Sequence, residues 1–266
     1  MDLGLRDKAI IVIGGTNGMG FATAQVLAEE GARVAITGRD AARAGERAAL
    51  IARETGATVI GLSADALRPG SVERAVDDAA ARLGALNGLA VTAGPMARVT
   101  NFTAYLDSDW EEYFQTQMMG TVRACRAAIP HLQRAGGGNI AVTAAYSIRS
   151  PKPTLVPYAT MKAAVAGLSK NLAVEFGKDG IRVNCVCPGA IATEALDEAR
   201  REAEQTYGAD EPDPVYALMR DRFGMNVALK RCGRPRELGE LYAFLLSGRA
   251  GYMTGATINA DGGTAF

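Results

Sequence analysis

The chain has 266 residues, enough for one α/β domain with a sizeable core, and its 29 basic and 29 acidic side chains balance to a formal charge of zero. This balance does not favour nucleic acid or a charged membrane surface as a partner. No stretch approaches the ~20 apolar residues of a membrane span, and no long apolar segment follows the acidic N-terminus. We therefore predict a soluble, cytoplasmic protein without a signal peptide.

The cysteines and the histidine do not indicate a metal site. The four cysteines include no C-x-x-C pair, and Cys185 and Cys187 alternate in a strand-like run, so both should point the same way. We interpret all four as small buried apolar residues of a reduced compartment. Because the chain has one histidine, a histidine-containing metal cluster is not expected.

The first predicted strand, residues 8–13, is a short apolar run that suits burial on both faces of a parallel sheet. It leads into a glycine-rich stretch, residues 14–20 (the glycine loop), and then into a helix over residues 21–30. Glycines allow a pyrophosphate to approach closely, and the helix N-terminus attracts it. A purely structural turn is the alternative. The residues expected to contact the cofactor are Gly14, Thr16, Asn17, Gly18, Met19 and Gly20.

The second predicted strand, residues 33–37, is followed by Gly38 and Arg39. In NAD-specific sites an acidic residue about 20 residues past the glycines binds the ribose hydroxyls. Here the glycine leaves room and Arg39 can bind a 2′-phosphate, so the sequence favours NADP(H), with NAD(H) as the alternative. Two other interpretations stay open: Arg39 is a solvated surface residue, or Asp40 binds the ribose rather than capping the next helix.

Strands and helices then alternate along the chain. Further strands are predicted over residues 58–62, 86–92, 139–145, 181–187 and 255–259, and further helices over 41–54, 71–83, 108–134 and 236–247. This alternation predicts a parallel sheet with helices on both faces and a ligand site at the carboxyl ends of its strands. Asp65 follows one such end, where it either contacts the adenine or serves as a turn residue.

Tyr158 and Lys162 lie one turn apart on a predicted helix whose first position suits Pro157. We expect the pair at the edge of a core-facing stripe formed by Met161, Val165, Leu168, Leu172 and Phe176. The ammonium should favour the phenolate and lower the tyrosine pKa from about 10, which would make Tyr158 an acid/base near neutral pH. An ordinary aromatic–lysine pair is the alternative for this spacing alone.

Residues 190–230 interrupt the alternation and are predicted to form helices joined by a turn (the excursion). We interpret the excursion as a mobile lid over a fairly apolar substrate; packing onto the sheet is the alternative. Its apolar residues include Leu196, Tyr207, Tyr216, Leu218, Met219, Phe223 and Met225. The loop 95–106, with Met96, Phe102 and Tyr105, is a second candidate wall.

Five stretches, in order and over almost the whole chain, resemble the short-chain dehydrogenase/reductase family. They are the glycine loop (T-G-x-x-x-G-x-G), residues 92–94 (N-N-A-G), residues 158–162 (Y-x-x-x-K), residues 188–193, and the C-terminal residues 249–263. The resemblance implies a single Rossmann-type α/β domain over residues 1–266, seven parallel strands, a nicotinamide cofactor, and a homodimer or homotetramer. It also implies cofactor contacts at Ala93, Gly94, Tyr158, Lys162, Pro188, Gly189, Ile191 and Thr193.

The chain departs from the family pattern at several positions. Ile13 replaces the threonine that opens the glycine motif, and Val91 and Thr92 replace the two asparagines of N-N-A-G. Some hydrogen bonds between loop and strand must therefore be made differently. Gln117 stands where the family has the asparagine of its proton relay; it is one methylene longer and can still form hydrogen bonds.

The most important departure is Ala145, at the position of the serine that supports the substrate oxygen. Losing one such donor commonly costs about 10²–10³ in rate. Three replacements are open: Ser147, Thr143, or a substrate group or water. We favour Ser147, because in an extended backbone it faces the same side as Ala145.

Together these features predict an NADP(H)-dependent carbonyl reductase or secondary-alcohol dehydrogenase for a fairly apolar small molecule. Tyr158, Lys162, Ser147 and Gln117 form the predicted catalytic set. The alternative is a nucleotide-binding sensor or scaffold with little redox activity, but binding alone does not need the retained tyrosine. A halohydrin-lyase-like protein is a third and disfavoured reading, because such relatives lose the nucleotide loop and replace the lysine.

Overall fold

The computed structural model describes residues 2–94, 98–208 and 211–264, except for the side chain of Phe223. The seven strands of these ranges form one parallel sheet in the order β3-β2-β1-β4-β5-β6-β7. They are β1 (Ala9–Ile13), β2 (Arg33–Gly38), β3 (Val59–Ser63), β4 (Gly88–Val91), β5 (Gly138–Thr143), β6 (Ile181–Pro188) and β7 (Thr257–Ala260). The predicted seven-stranded, doubly wound, single-domain Rossmann-type fold is confirmed.

Helices cover both faces of the sheet. They are α1 (Gly18–Glu29), α2 (Ala41–Thr55), α3 (Ser71–Leu83), α4 (Asp107–Tyr113), α5 (Gly120–Arg134), α6 (Val156–Phe176), α7 (Asp197–Tyr207), α8 (Pro214–Phe223) and α9 (Pro235–Leu246). Residues of α3, α5 and α6 bury one face, and residues of α1, α2 and α9 bury the other. None of the helices in the described ranges is long and apolar enough to cross a membrane.

The continuous apolar run of β1 reflects burial on both sides. All five of its residues are buried, with Ile11 and Ile13 in the core under α3, α5 and α6, and Ile10 and Val12 in the core under α1 and α9. Successive side chains of a strand point to opposite faces, so a strand between two helical layers needs apolar residues at every position. The four cysteines are also free and buried, as the sequence predicted.

The strand order reverses direction between β1 and β4, which are neighbours in the sheet although β2 and β3 separate them in the chain. Ile13 at the end of β1 is in register with Val91 at the end of β4. In doubly wound sheets this switch point opens a crevice at the carboxyl ends of the strands. The glycine loop and Gly94 follow these two strand ends and therefore border that crevice.

Two elements beside the crevice differ in detail from the sequence prediction. The predicted helix over 108–134 is α4 and α5 joined by one π-helical segment, Phe114–Met119. The strand predicted to reach Ala145 ends at Thr143, and Tyr146–Ile148 forms a 3₁₀ turn. Single-turn π segments inside helices are frequent at functional sites, and this one contains Gln117.

The predicted core stripe of α6 was wrong in detail. Of its five members only Val165 is fully buried, and the buried line instead runs through Lys162, Ser169 and Ala173. Lys162 is 3% exposed rather than half-exposed at an edge. The aliphatic pattern alone could not place a lysine in the interior, because burying an ammonium is normally unfavourable.

Candidate active site

The glycine loop is packed so closely that side chains are excluded from it. Gly14 has a φ of +86°, and a methyl group on Gly20 would collide with the Gly14 carbonyl and the Thr92 hydroxyl. The Thr92 hydroxyl instead donates to the Ile13 carbonyl at 2.9 Å, and the Gly14 N–H donates to the Thr37 hydroxyl at 3.1 Å. These two bonds hold the loop against its neighbouring strands despite the departures at Ile13 and Thr92.

The N-terminus of α1 fits a phosphate group. Asn17 makes no side-chain cap there, and the first turn of the helix carries no acidic residue. Unpaired N–H groups and the positive end of the helix dipole bind anions at such a terminus. The Gly18 N–H donates to a carboxylate oxygen of Glu194 at 3.0 Å, so an anion from the excursion already contacts this terminus.

Arg39 and Asp40 directly follow the end of β2. Asp40 caps α2 by accepting hydrogen bonds from the N–H groups of Ala42 and Arg43, at 2.8 and 3.1 Å. Asp40 therefore caps α2, which is the interpretation that the sequence analysis preferred to ribose binding. Arg39 is exposed.

Asp65 is a turn residue in this structure. Its carboxylate accepts a hydrogen bond from the Leu67 N–H at 3.0 Å and pairs with Arg68 at 3.5 Å. An adenine contact by Asp65 stays a prediction.

Two further arginines border the glycine loop and were missed in the sequence. Arg43 donates to the Asn17 side chain at 2.8 Å, and Arg47 donates to the Thr16 carbonyl at 3.2 Å. Arg47 also lies 3.7 Å from the ring centroid of Phe21, a cation–π geometry. The sequence did contain a signal for these two arginines. Arg43 and Arg47 follow Arg39 at intervals of four residues, and this spacing places Arg43 and Arg47 on one face of α2.

Tyr158 and Lys162 meet at the start of α6. The Lys162 ammonium donates to the Thr143 carbonyl at 2.9 Å and lies 5.7 Å from the ring centroid of Tyr158. The Tyr158 ring packs edge-to-face on Tyr113, with 6.2 Å between centroids. Burial lowers the pKa of Lys162 to about 8.

The predicted lowering of the tyrosine pKa was wrong for this structure. Burial raises the pKa of Tyr158 above its ordinary value, and the nearby phenols of Tyr146 and Tyr113 and the thiol of Cys187 raise it further. The physical reason is that the phenol is removed from water, while the Lys162 ammonium is bonded to a backbone carbonyl and has a lowered pKa itself.

Gly94 brings Gln117 and Lys162 together. Its φ of +146° suits glycine, and a methyl group there would collide with the Gln117 side-chain oxygen and lie 3.0 Å from the Lys162 nitrogen. Gln117 is fully buried in the π segment. The glutamine and the lysine therefore converge beside the loop that follows β4, where the sequence predicted them.

Neither predicted replacement for the missing serine presents its hydroxyl to the crevice. Ser147 is 1% exposed, and its hydroxyl is enclosed without a hydrogen-bond partner among the described residues. The prediction assumed an extended backbone, which the 3₁₀ turn of residues 146–148 does not provide. Thr143 uses its hydroxyl on the Val91 carbonyl and the Tyr242 hydroxyl.

The segment after β6 is held firmly at the mouth of the crevice. The Gly189 N–H donates to the Ala260 carbonyl at 3.1 Å, and Ile191 is buried and bridges to Gly233. The side chain of Thr193 faces Gly18. The predicted cofactor residues Pro188, Gly189, Ile191 and Thr193 therefore border the same crevice as the glycine loop.

The excursion is tied down by its own small core. Val215, Tyr216, Met225, Val227 and Cys232 form a buried cluster (the lid cluster), against which Tyr146, Ala190, Ala192, Leu196 and Met219 pack. Leu218 is also buried, while the Tyr207 hydroxyl donates to Asp221. Of the loop 95–106, Phe102 is 60% exposed and the Tyr105 hydroxyl donates to the Thr154 carbonyl. Met96 and the Phe223 side chain lie outside the described residues.

Comparisons with known proteins agree with this geometry. Residues 14–265 match the family model described as enoyl-(acyl carrier protein) reductase. An uncharacterized short-chain type dehydrogenase/reductase of Sinorhizobium fredii is 32% identical over 263 residues, covering 97% of this chain and 98% of the relative. A 2-(S)-hydroxypropyl-CoM dehydrogenase of Xanthobacter autotrophicus is 29% identical, with 97% of each chain covered.

Solved structures give the same result. The L-sorbose reductase of Gluconobacter frateurii, solved in complex with NADPH and L-sorbose, superposes with a TM-score of 0.88 at 29% identity and covers 99% of this chain and 98% of its own. A short-chain type dehydrogenase/reductase of Mycobacterium marinum gives a TM-score of 0.85 at 29% identity, with 98% and 97% covered. The chain belongs to the short-chain dehydrogenase/reductase family and is an NAD(P)-dependent oxidoreductase acting on carbonyls and alcohols.

Proposed function

We propose that the protein is an NADP(H)-dependent oxidoreductase that interconverts a carbonyl and a secondary alcohol on a fairly apolar small molecule. The observation that carries this proposal is the convergence of Tyr158, Lys162 and Gln117 beside Gly94 at the strand-order switch point. A nicotinamide cofactor, when bound, supplies or accepts the hydride. The chain's own residues supply position and the proton.

Tyr158 exchanges the proton on the substrate oxygen. Tyr158 is half-buried, and its hydroxyl forms no hydrogen bond with the described part of the protein, so it is available to a substrate that enters the crevice. Like an ordinary tyrosine, the phenol is protonated at neutral pH, and this form can give a proton to a carbonyl oxygen.

Lys162 and Gln117 act around Tyr158 and the cofactor. Lys162 is held by the Thr143 carbonyl and lies beside Gly94, and its remaining N–H groups can donate to a ribose hydroxyl bound there. Gln117 takes the role of the relay asparagine, and the π segment adjusts the backbone around its longer side chain. Ser147, enclosed in this structure, has a weaker case as the substrate-oxygen donor than the sequence suggested.

The preference for NADP(H) rests on charge. Asp40 is occupied by the N-terminus of α2, and Arg39 and Arg43 provide cationic side chains where a 2′-phosphate would lie, while Gly38 is packed against Thr16. The solved L-sorbose reductase relative holds NADPH. Substrates named for relatives differ from one another, so the apolar substrate is argued from the excursion, whose Leu196 and Met219 pack with Tyr146 around the lid cluster.

The experiment has two steps. Calorimetric titration should show NADPH binding more tightly than NADH, and Arg39→Ala should weaken NADPH binding about tenfold while leaving NADH binding nearly unchanged. Arg53→Ala, at the far end of α2, is the matched control. A ketone panel ordered from apolar to polar should then show turnover with NADPH that favours the apolar members.

Two results would contradict the proposal. Tighter binding of NADH would remove the role given to Arg39 while leaving the fold intact. Tight cofactor binding without turnover of any ketone or alcohol would instead support the sensor or scaffold alternative. A cytoplasmic location and a homodimer or homotetramer stay predictions.

A further inference from the structure

The missing serine leaves the substrate oxygen short of one donor, and Tyr146 is adjacent to that vacancy. Tyr146 follows Ala145 directly and begins the 3₁₀ turn of residues 146–148. That turn packs against α6, which carries Tyr158. The Tyr146 phenol is close enough to raise the pKa of the Tyr158 phenol. Tyr146 therefore lies at the same end of the crevice as the proton donor.

The hydroxyl groups around the site differ in availability. Ser147 is enclosed, and Thr143 is bonded to Val91 and Tyr242. The Tyr113 hydroxyl donates to the Arg98 carbonyl at 2.9 Å. Tyr146 is half-buried, and within the described ranges its hydroxyl takes part in no hydrogen bond with the protein. A group that binds substrate needs both free hydrogen-bonding capacity and some exposed surface, and Tyr146 has both.

The other side of Tyr146 contacts the excursion. Its ring packs against the lid cluster, together with Leu196 and Met219. A tyrosine offers a large apolar ring and a polar tip. Packing against the lid cluster limits the motion of the ring and therefore of the hydroxyl that it carries.

We infer that Tyr146 donates a hydrogen bond to the substrate oxygen and so replaces the serine absent at Ala145. This inference rests on the proposed carbonyl reduction. Tyr146 keeps its proton throughout: Tyr158 gives the proton that the product hydroxyl retains, and Tyr146 stabilises the negative charge that develops on the oxygen during hydride addition. Burial raises the pKa of Tyr146, so the phenol is a donor at neutral pH.

The decisive test is a rescue experiment with the full-length protein and a ketone from the panel. Tyr146→Phe keeps the ring and its packing, and should lower kcat/KM by about 10²–10³ with NADPH affinity unchanged. Adding Ala145→Ser to Tyr146→Phe should restore at least about tenfold, because a serine there supplies the lost donor. A purely structural role for the hydroxyl would not be rescued by a serine at a different position.

Controls separate the possible failures. Tyr252→Phe, at a fully exposed tyrosine, should retain kcat/KM within a few-fold, and Ser147→Ala tests the competing assignment of the donor. If Tyr158→Phe leaves turnover unchanged, the proposed function itself fails. If Tyr158→Phe abolishes turnover but Tyr146→Phe does not reduce it, only the inference about Tyr146 fails. A collapse in Ser147→Ala together with an active Tyr146→Phe would assign the donor to Ser147.

Discussion

Lys162 is the residue whose chemistry depends most on its surroundings. It is 3% exposed, and burial lowers its pKa to about 8 from an ordinary 10.5. Between these two pH values the unfolded chain binds more protons at this site than the folded chain does. The contribution of Lys162 to the free energy of unfolding therefore increases as pH rises from about 8 to about 10.5.

This can be measured by comparing variants without cofactor. The difference in unfolding free energy between wild type and Lys162→Met should change by a few kcal/mol in favour of wild type across that pH window, since one pKa unit is about 1.4 kcal/mol. The exposed Lys178→Met should differ from wild type by a constant amount. If the difference in unfolding free energy between wild type and Lys162→Met stayed constant with pH, the lysine would not be desolvated in the folded protein.

At the scale of single residues, the sequence identified the chemical groups of the site better than it predicted their pKa values and orientations. The spacing of Tyr158 and Lys162 placed both side chains correctly on one helix. Their pKa values could not be read from it, because desolvation depends on side chains distant in sequence, such as Tyr113 and Tyr146. The orientation predicted for Ser147 was wrong for a related reason: alternation along a strand no longer applies once the backbone turns at Tyr146, and its role stays a prediction.

At the scale of elements, the contact between the excursion and α1 has a functional consequence. Glu194, just before α7, accepts a hydrogen bond from the first N–H of α1, where a cofactor pyrophosphate is expected. Two anions do not share one N–H group. Binding of the cofactor should therefore displace Glu194 and move the start of the excursion.

Glu194→Gln should tighten cofactor binding by about two- to fivefold, because it removes the competing charge, and a charge at a helix N-terminus is typically worth 0.3–1 kcal/mol. Calorimetric titration with NADPH measures the effect, and Glu198→Gln, one turn along in exposed α7, is the matched control. Weaker binding in Glu194→Gln would mean that the carboxylate is part of the cofactor site rather than its competitor.

Helices and strands were predictable where the burial of apolar side chains determines the sequence pattern. Strand β1 is a continuous apolar run. Helix α3 has its observed bounds, Ser71–Leu83, where the sequence predicted them, and its buried residues recur at helical spacing. The π segment Phe114–Met119 was not predictable, because its residues suit an ordinary helix equally well. Its backbone register is determined by tertiary contacts around Gln117 and Gly94.

At the scale of the whole molecule, the parallel sheet explains why distant stretches form one site. The glycine loop, Gly94, Tyr146 and Pro188 follow β1, β4, β5 and β6, and strands that run parallel end at the same edge. Strand alternation and glycine positions therefore predicted both the fold and the location of the crevice. The identity of the substrate could not be predicted in this way, because a shared fold does not determine which substrate its loops and excursions bind.

The most direct test of this account is the turnover of an apolar ketone by wild type and Tyr158→Phe at saturating NADPH, with cofactor affinity measured on the same samples. We predict that kcat falls by about 10²–10⁴ in Tyr158→Phe while NADPH affinity stays within a few-fold, since the phenol serves the proton and not the binding. The fully exposed Tyr252→Phe should match wild type. Undiminished turnover in Tyr158→Phe would contradict the assignment of the proton donor and, with it, the mechanism proposed for this crevice.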